Sequence, residues 1–414
     1  MRYLILISLF FISGFSLSLD DTKHLLNRTS FGYTQEDLNT FQKLSKQQAV
    51  EFLIQEAKSK DIYKKPSNIK EVSTFDGKFK DLSKEEKKRL RQNRKKKMQE
   101  IRKWWYEMIL ESKFSFREKM TLFWHNHFVS EEKKVKSPFM MFEQNMLFRN
   151  NALGKFDELL HKSSVDMAIL VYLDSNSNKK SHPNENYARE LLELFTLGEG
   201  NYSENDVKEA ARAFTGLRVN RKKASFKLLE KHHDSGIKNF LGKKGNFDGS
   251  DIIDIVLRQE ETAKFITMKL YKEFISEKFN RGEVERLANI FRRSSYDISV
   301  LMKNLLLSED FWAKENRKNM IKSPIEFMVS FIKNQDFKIK EKEYKFIIKT
   351  ARNLGQDLFN PPNVKGWLGN KAWIDSTSLV NRNEFIKKVI RKRIKKRDRK
   401  EYLAFYSKLE QNLK

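Results

Sequence analysis

The chain has 414 residues, 39% of them hydrophobic and 12% aromatic, which is enough apolar surface for a large core and rules out a disordered protein. Its 82 Lys and Arg against 55 Asp and Glu give a formal charge of +27, a field that attracts nucleic acid, anionic lipid headgroups or acidic polymers, unless it reflects only a Lys-rich habit of the source. With no cysteine, disulfides and the acylated cysteine of a lipoprotein are excluded, and any metal site must use His, Asp, Glu or Asn.

The first residues, MRYLILISLFFISGFSLSLDD, place Arg2 before an apolar run from Leu4 to Phe15, followed by Ser16, Ser18 and the acidic pair Asp20 and Asp21. This is the layout of a secretory signal peptide over residues 1–18, cleaved near Ser18, with an uncleaved anchor as the alternative. No later stretch has the apolar length of a membrane span, so the expected location is the periplasm or the extracellular space. Residues 19–386 are expected to form one helical domain, or two packed halves dividing near residues 235–250, and residues 387–414 a basic helical tail.

The mature start predicts two amphipathic helices separated by Phe31 and Gly32, the second capped by Thr34. A polar loop with Pro66 and Gly77 leads into a basic run, Lys78 to Lys103, which reads as one long solvated helix entering the core at Trp104. Between Ser112 and Phe128 a turn precedes a helix whose apolar stripe runs through Met120, Phe123, Trp124 and Phe128, with His127 on the stripe and His125 off it. One or two helices fill Pro138 to Leu173. The stretch HPNENYARELLELFTLG, His182 to Gly198, reads as helix throughout, with Pro183 in the first helical position and a buried stripe of Tyr187, Ala188, Leu191, Leu194 and Phe195.

Gly198 and Gly200 break that helix, and Ser203 with Asp206 opens the next in capping-box spacing. From Leu217 the pattern alternates around a basic turn, predicting one short β-hairpin that loosens into a Gly-containing loop. Three or four amphipathic helices follow between Asp251 and Lys333. An ordered, non-helical crossing then buries Pro361, Pro362, Gly366, Trp367 and Trp373, and the basic tail from Lys387 reads as a solvated helical face. The fold class is therefore mainly α: a multi-helical globular protein with one short β-hairpin and long ordered loops.

No Gly-rich phosphate loop, Gly-x-Ser-x-Gly elbow, internal repeat or recognition-helix motif is present, so nucleotide, serine-hydrolase and specific nucleic-acid readings lose support. Five of the seven histidines lie in polar motifs: His125 and His127 in WHNHF, His182, and His232 and His233 in HHDSG. A divalent metal needs three or four N and O donors, for which His125, His127, Glu190, His232, His233 and Asp234 are the candidates, although their spacing matches no local zinc motif. Without a metal, Glu190, His233 and Asp234 are the candidate acid–base groups. Each has a structural alternative. Glu190 could sit in an ion pair, HHDSG could be a turn with Asp234 accepting backbone N–H groups, and a histidine between Trp124 and Phe128 could be a hydrogen-bonded core residue.

The stretches HLLNRTSFGYTQEDL, EKMTLFWHNHF, NENYARELLELFTLGEGNYSENDVKEAARAFTG, HHDSGIKNFLG, KSPIEF and PPNVKGW with AWIDS together resemble the bacterial domain of unknown function 1800 family, from His24 to about Arg382. The resemblance implies a mainly helical, exported bacterial protein, often accompanied by a partner from an uncharacterised alkaline-phosphatase-like family. It supplies no reaction. The family usually has Trp after the TG pair, where this chain has Leu217. Two functions are expected on these grounds. One is an exported enzyme with a His/Asp/Glu site, with or without a divalent metal. The other is a non-enzymatic, envelope-associated scaffold that binds an anionic polymer or lipid surface.

Overall fold

The computed structural model describes residues 16–59, 66, 69, 81–220 and 225–393. Residues 1–15, where the signal peptide is expected, Gly77 with Lys78, and the tail beyond 393 lie outside the described residues. Leu17 is buried, with its N–H on the Leu44 carbonyl at 2.9 Å, and Ser18 caps helix α1 (Leu19–Thr29), so both are part of the fold.

The chain from Leu19 to Lys58 forms three helices instead of two, because reciprocal capping boxes at Thr34–Asp37 and Ser45–Gln48 open separate helices α2 (Gln35–Phe41) and α3 (Lys46–Lys58). Helix α4 (Lys84–Glu111) has 28 residues and is about 42 Å long. Its first half is largely exposed and its burial begins at Met98, ahead of the predicted entry at Trp104. Then come α5 (Phe116–His127), α6 (Glu132–Val135), α7 (Pro138–Asn150), α8 (Phe156–Ser164) and α9 (Met167–Tyr172).

The helix expected from His182 starts later, as α10 (Asn186–Glu190). Asn184 is the reason. Its N–H donates to Asn178 Oδ1 and its Nδ2 to Ser177 Oγ, while its Oδ1 accepts the N–H of Asn186, so Pro183 stays in the preceding turn. Leu191–Thr196 continues as π-helix, with the Leu197 N–H on the Leu192 carbonyl. The wider winding rotates the stripe, burying Leu192 completely and leaving Leu194 only partly buried.

Helix α11 (Glu204–Ala213) has the expected Ser203–Asp206 box. Two antiparallel hairpins follow where one was expected: β1 (Leu217–Asn220) with β2 (Ser225–Leu228), and β3 (Lys238–Phe240) with β4 (Lys243–Gly245). The second turns through Leu241 and Gly242, both at positive φ, as a two-residue hairpin turn demands. Six helices then replace the predicted three or four: α12 (Gly249–Arg258), α13 (Glu260–Phe274), α14 (Arg281–Arg293), α15 (Ile298–Leu307), α16 (Glu309–Trp312) and α17 (Pro324–Asn334). Helices α18 (Tyr344–Asn353) and α19 (Ser376–Arg393) flank the crossing, in which Trp367 and Trp373 are buried as expected. Val389 and Ile390 are buried too, so the start of the basic tail is core-packed.

The fold is mainly α, and none of its helices is long and apolar enough to cross a membrane among the described residues. Apolar residues from Leu17 to Trp312 form one hydrophobic cluster. A second joins α4 to α17, α18 and α19, and α7 and α9 contribute to both. Helix α5 also meets α3 and α7, which leaves little of it exposed.

Candidate functional site

The two histidines of WHNHF are core residues on both faces of α5. His125 accepts the Asn145 side-chain amide at 3.0 Å and packs 4.5 Å from the Trp105 ring, and burial pushes it down to about 3. His127 has its Nε2 3.0 Å from the Phe195 carbonyl oxygen and is held well below its ordinary value by burial, with Lys269 adding to the effect. Residue spacing placed His125 off the apolar stripe, but packing against α7 and the Phe359 loop closes that side of the helix as well.

HHDSG is a fastened turn. His233 Nδ1 donates to the Thr215 carbonyl at 2.9 Å, and Asp234 accepts Arg212 Nε at 2.8 Å and the Gly236 N–H at 2.8 Å. Arg212 holds the Asp234 carboxyl below the usual range. His232 is lowered by desolvation and by Arg218. Glu190 is half-buried with no hydrogen bond or ion pair among the described residues, and burial raises it, with Glu193 adding to the shift. The fold thus brings His233 and Asp234 to one turn, sets His125 and His127 on opposite faces of α5, and gives Glu190 no hydrogen bond or ion pair with either motif among the described residues. Among the described residues no three His, Asp or Glu side chains are grouped to hold a metal ion.

A large cavity lies elsewhere. It has a volume of about 820 Å³ and is walled by α1, α5, α13, the segment leading into α17, and the crossing around Trp367. None of the six residues singled out from the sequence lines it. On α1, His24, Asn27 and Arg28 share a face by their i, i+3, i+4 spacing. His24 has its Nε2 2.7 Å from the Phe311 carbonyl oxygen, and burial with the adjacent Arg28 lowers it to about 4, so it is neutral. Arg28 Nη2 donates to the carbonyl of Asn316 at 2.8 Å and to Asn319 Oδ1 at 2.6 Å, but no carboxylate pairs with it among the described residues.

Helix α5 contributes Lys119, Phe123 and Asn126, again one face, while its histidines point into the core. Asn126 clamps the crossing: its Oδ1 accepts the Trp367 N–H at 2.7 Å and its Nδ2 donates to the Trp367 carbonyl at 3.1 Å. Gly366 makes this possible. Its φ is +78°, and a Cβ there would lie 2.2 Å from Asn126 Oδ1.

KSPIEF is a helix start. Ser323 and Glu326 form a capping box with Pro324 in the first turn, and Gln356 from the crossing accepts the Ile325 N–H at 3.0 Å. Glu326 uses Oε2 for the box and pairs Oε1 with buried Lys119. Burial opposes its ionisation, but Lys119 and Ser323 outweigh burial and hold it below the usual range. Lys322 lines the same wall, with its amine lowered by desolvation and without an ion pair among the described residues.

Glu273, from α13, completes the set. Its carboxyl has no hydrogen bond or ion pair among the described residues, and burial, aided by Glu326 and opposed by Lys119 and Arg28, raises it to about 7.

The cavity wall thus draws on HLLNRTSFGY, EKMTLFWHNHF, KSPIEF, PPNVKGW and AWIDS. Comparison with protein families matches residues 24–412 to the one described as Protein of unknown function (DUF1800). The chain belongs to the DUF1800 family. No curated protein and no solved structure matches it. In this DUF1800 chain NENYARE and HHDSG stand outside the cavity, and Leu217 begins β1 without lining it. Histidine clustering could not locate the cavity, whose only histidine is His24. The signal was a different one: an Arg in HLLNR, a Lys and Glu in KSPIEF and a Lys in EKMTLFW, each beside strongly apolar residues that would bury it.

Proposed function

We propose that the protein is an exported acid–base enzyme that takes an anionic substrate into the cavity and moves a proton through Glu273. The observation that best supports this is the Glu273 carboxyl, which lines the cavity, has no hydrogen bond or ion pair among the described residues and is raised by burial to about 7. A group titrating near neutrality is suited to both giving and taking a proton. Arg28, Lys119 and Lys322 around it favour a negatively charged molecule. His24 is neutral, and with its Nε2–H donated to Phe311 it keeps Nδ1 as an acceptor on the same wall.

The test is to incubate the protein with pools of phosphorylated, sulfated and carboxylated small molecules and follow products by mass spectrometry. Glu273→Gln is expected to abolish turnover and Glu190→Gln to leave it intact. Turnover that survives Glu273→Gln but not Glu190→Gln would return the chemistry to the helix of NENYARE. Export rests on the leader with Arg2 and Leu4 to Phe15. Because Leu17 is buried and Ser18 caps α1, processing is expected to spare both, and the mass of the mature chain checks this.

A second reading, attachment to an acidic envelope polymer, is favoured by α4, whose first half exposes Lys88, Arg91 and Lys95 among other basic residues. Counterion release makes such binding fall steeply with salt. Binding of heparin or teichoic acid that ignores salt would remove this reading.

A further inference from the structure

We infer that the cavity holds a phosphoryl group, as a dianion, between Arg28 and Lys322. This deepens the proposed acid–base reading by naming the class of its substrate, and it rests on that reading for any claim of turnover. The argument begins with charge. Glu326 is the common neighbour of Lys119, Arg28, Lys322 and Arg382, and Glu273 lies within the field of Lys119, Arg28 and Glu326. In this inner group four cations therefore surround two carboxylates, an excess of two positive charges with both carboxyls ionised, and the same lining adds Lys23, Lys314 and Lys318 against Asp20, with Arg317 paired to Asp21.

Most of the excess is withdrawn from solvent, with Lys322 partly buried. Arg28 is 9% exposed and Lys119 6%, and the Arg382 side chain is 8% exposed with its Nη2 spent on the Lys322 carbonyl. Lys119 already has its carboxylate in Glu326, so the cations without one are Arg28, Lys322 and Arg382. Of these, Arg28 and Lys322 line the cavity and Arg382 stands behind Lys322. Buried charge without a counter-charge is costly, and a cavity of about 820 Å³ gives an anion a place to supply it.

The chemistry of the donors narrows the anion. Arg28 spends Nη2 on protein oxygens, and its Nε and Nη1 make no hydrogen bond among the described residues. Nε–H and Nη1 lie on different edges of the guanidinium, so each can give one charge-assisted hydrogen bond to an anion oxygen, and the Lys322 ammonium adds a point charge. A single carboxylate would neutralise only half the excess, whereas a phosphate monoester neutralises nearly all of it at neutral pH. The remaining volume, bordered by Tyr33, Phe123 and Trp367, accommodates the organic part of an ester.

The experiment is calorimetric titration of the mature protein with inorganic phosphate, with acetate as the monoanion control. Phosphate is expected to bind one to one and at least tenfold more tightly than acetate. Lys322→Met and Arg28→Gln should each weaken phosphate at least tenfold. Because Arg28 also supports the 316–319 turn, so that its loss bears on folding as well, Lys322→Met decides, since the Lys322 amine makes no hydrogen bond among the described residues. Glu273→Gln should retain phosphate binding, so lost turnover with kept binding separates the acid–base reading from this one. Glycerol 3-phosphate and vesicles of phosphatidic acid in phosphatidylcholine then distinguish a soluble ester from a lipid headgroup, and uptake of either supports the inference. No phosphate binding, acetate binding as tight as phosphate, or phosphate binding unchanged in Lys322→Met overturns it.

Discussion

Helix α5 has two environments, and they treat polar groups in opposite ways. Toward the core, Arg149 pairs with Glu118 and holds Asn145, Asn145 holds His125, and His127 meets the Phe195 carbonyl, so the charges balance inside the protein. Toward the cavity, Lys119 shares Glu326 with three other cations. A cluster of polar residues marks a ligand site when its charges fail to balance beside open space, and marks packing when they balance within it.

The strongest way to break this comparison is on the balanced side. Glu118 and Arg149 are both almost fully buried, so Glu118→Ala removes the carboxylate that faces a buried guanidinium and is expected to cost about 3–5 kcal/mol in urea unfolding. Added phosphate should not restore it, because Arg149 does not line the cavity. Recovery in phosphate would mean that the two environments are not distinct.

Next in size is the clamp between α5 and the crossing. Gly366→Ala puts a Cβ against Asn126 Oδ1 at a φ of +78°, and the strain is expected to cost about 2 kcal/mol and to shift the fluorescence of Trp367. An unchanged spectrum and melting midpoint would show that the loop has room to yield.

On the unbalanced side, Glu273→Gln should change how stability depends on pH. The Glu273 carboxyl is raised from 4.5 to about 7 in the folded chain, so between those values the native state binds more protons than the unfolded one. Stability from this group is therefore fully present below about pH 4.5 and lost as pH rises through 7. The Gln variant lacks that loss. It should match the wild type near pH 4.5 and exceed it by about 3 kcal/mol at pH 8, as measured by urea midpoints. Parallel pH profiles would place Glu273 in water.

What was legible in the sequence follows the range of the interactions involved. The cap at Thr34, the capping box at Ser203, the long basic helix and the buried crossing are local patterns, and they hold in the structure. The late start of α10 was missed because Asn184 is tied to Asn178 and Ser177, a contact that spacing within a helix does not encode. The second hairpin was missed because its turn places a leucine at positive φ, where Asn or Gly is the usual signal. The cavity was illegible for a stronger reason: Arg28, Lys119, Glu273 and Glu326 are spread over most of the chain, and each alone looks like an ordinary surface charge.

The smallest expected effect belongs to Asp234. It accepts two donors from Arg212 and the Gly236 N–H, a geometry that holds its carboxyl low, yet the pair stands at the surface, where screening limits its worth. Asp234→Asn keeps the side chain's size but removes the charge and one of the two acceptor oxygens, and at this partly exposed site it should cost about 1 kcal/mol. The carboxyl is lowered in the folded chain, so that contribution is present above its ordinary value of 3.8 and is lost as pH falls through the folded value. The variant should therefore converge with the wild type in acid. It should also bind phosphate as the wild type does, since Asp234 lies outside the cavity. A loss of several kcal/mol, or of anion binding, would show that the HHDSG turn is coupled to the cavity and that the two regions work as one site.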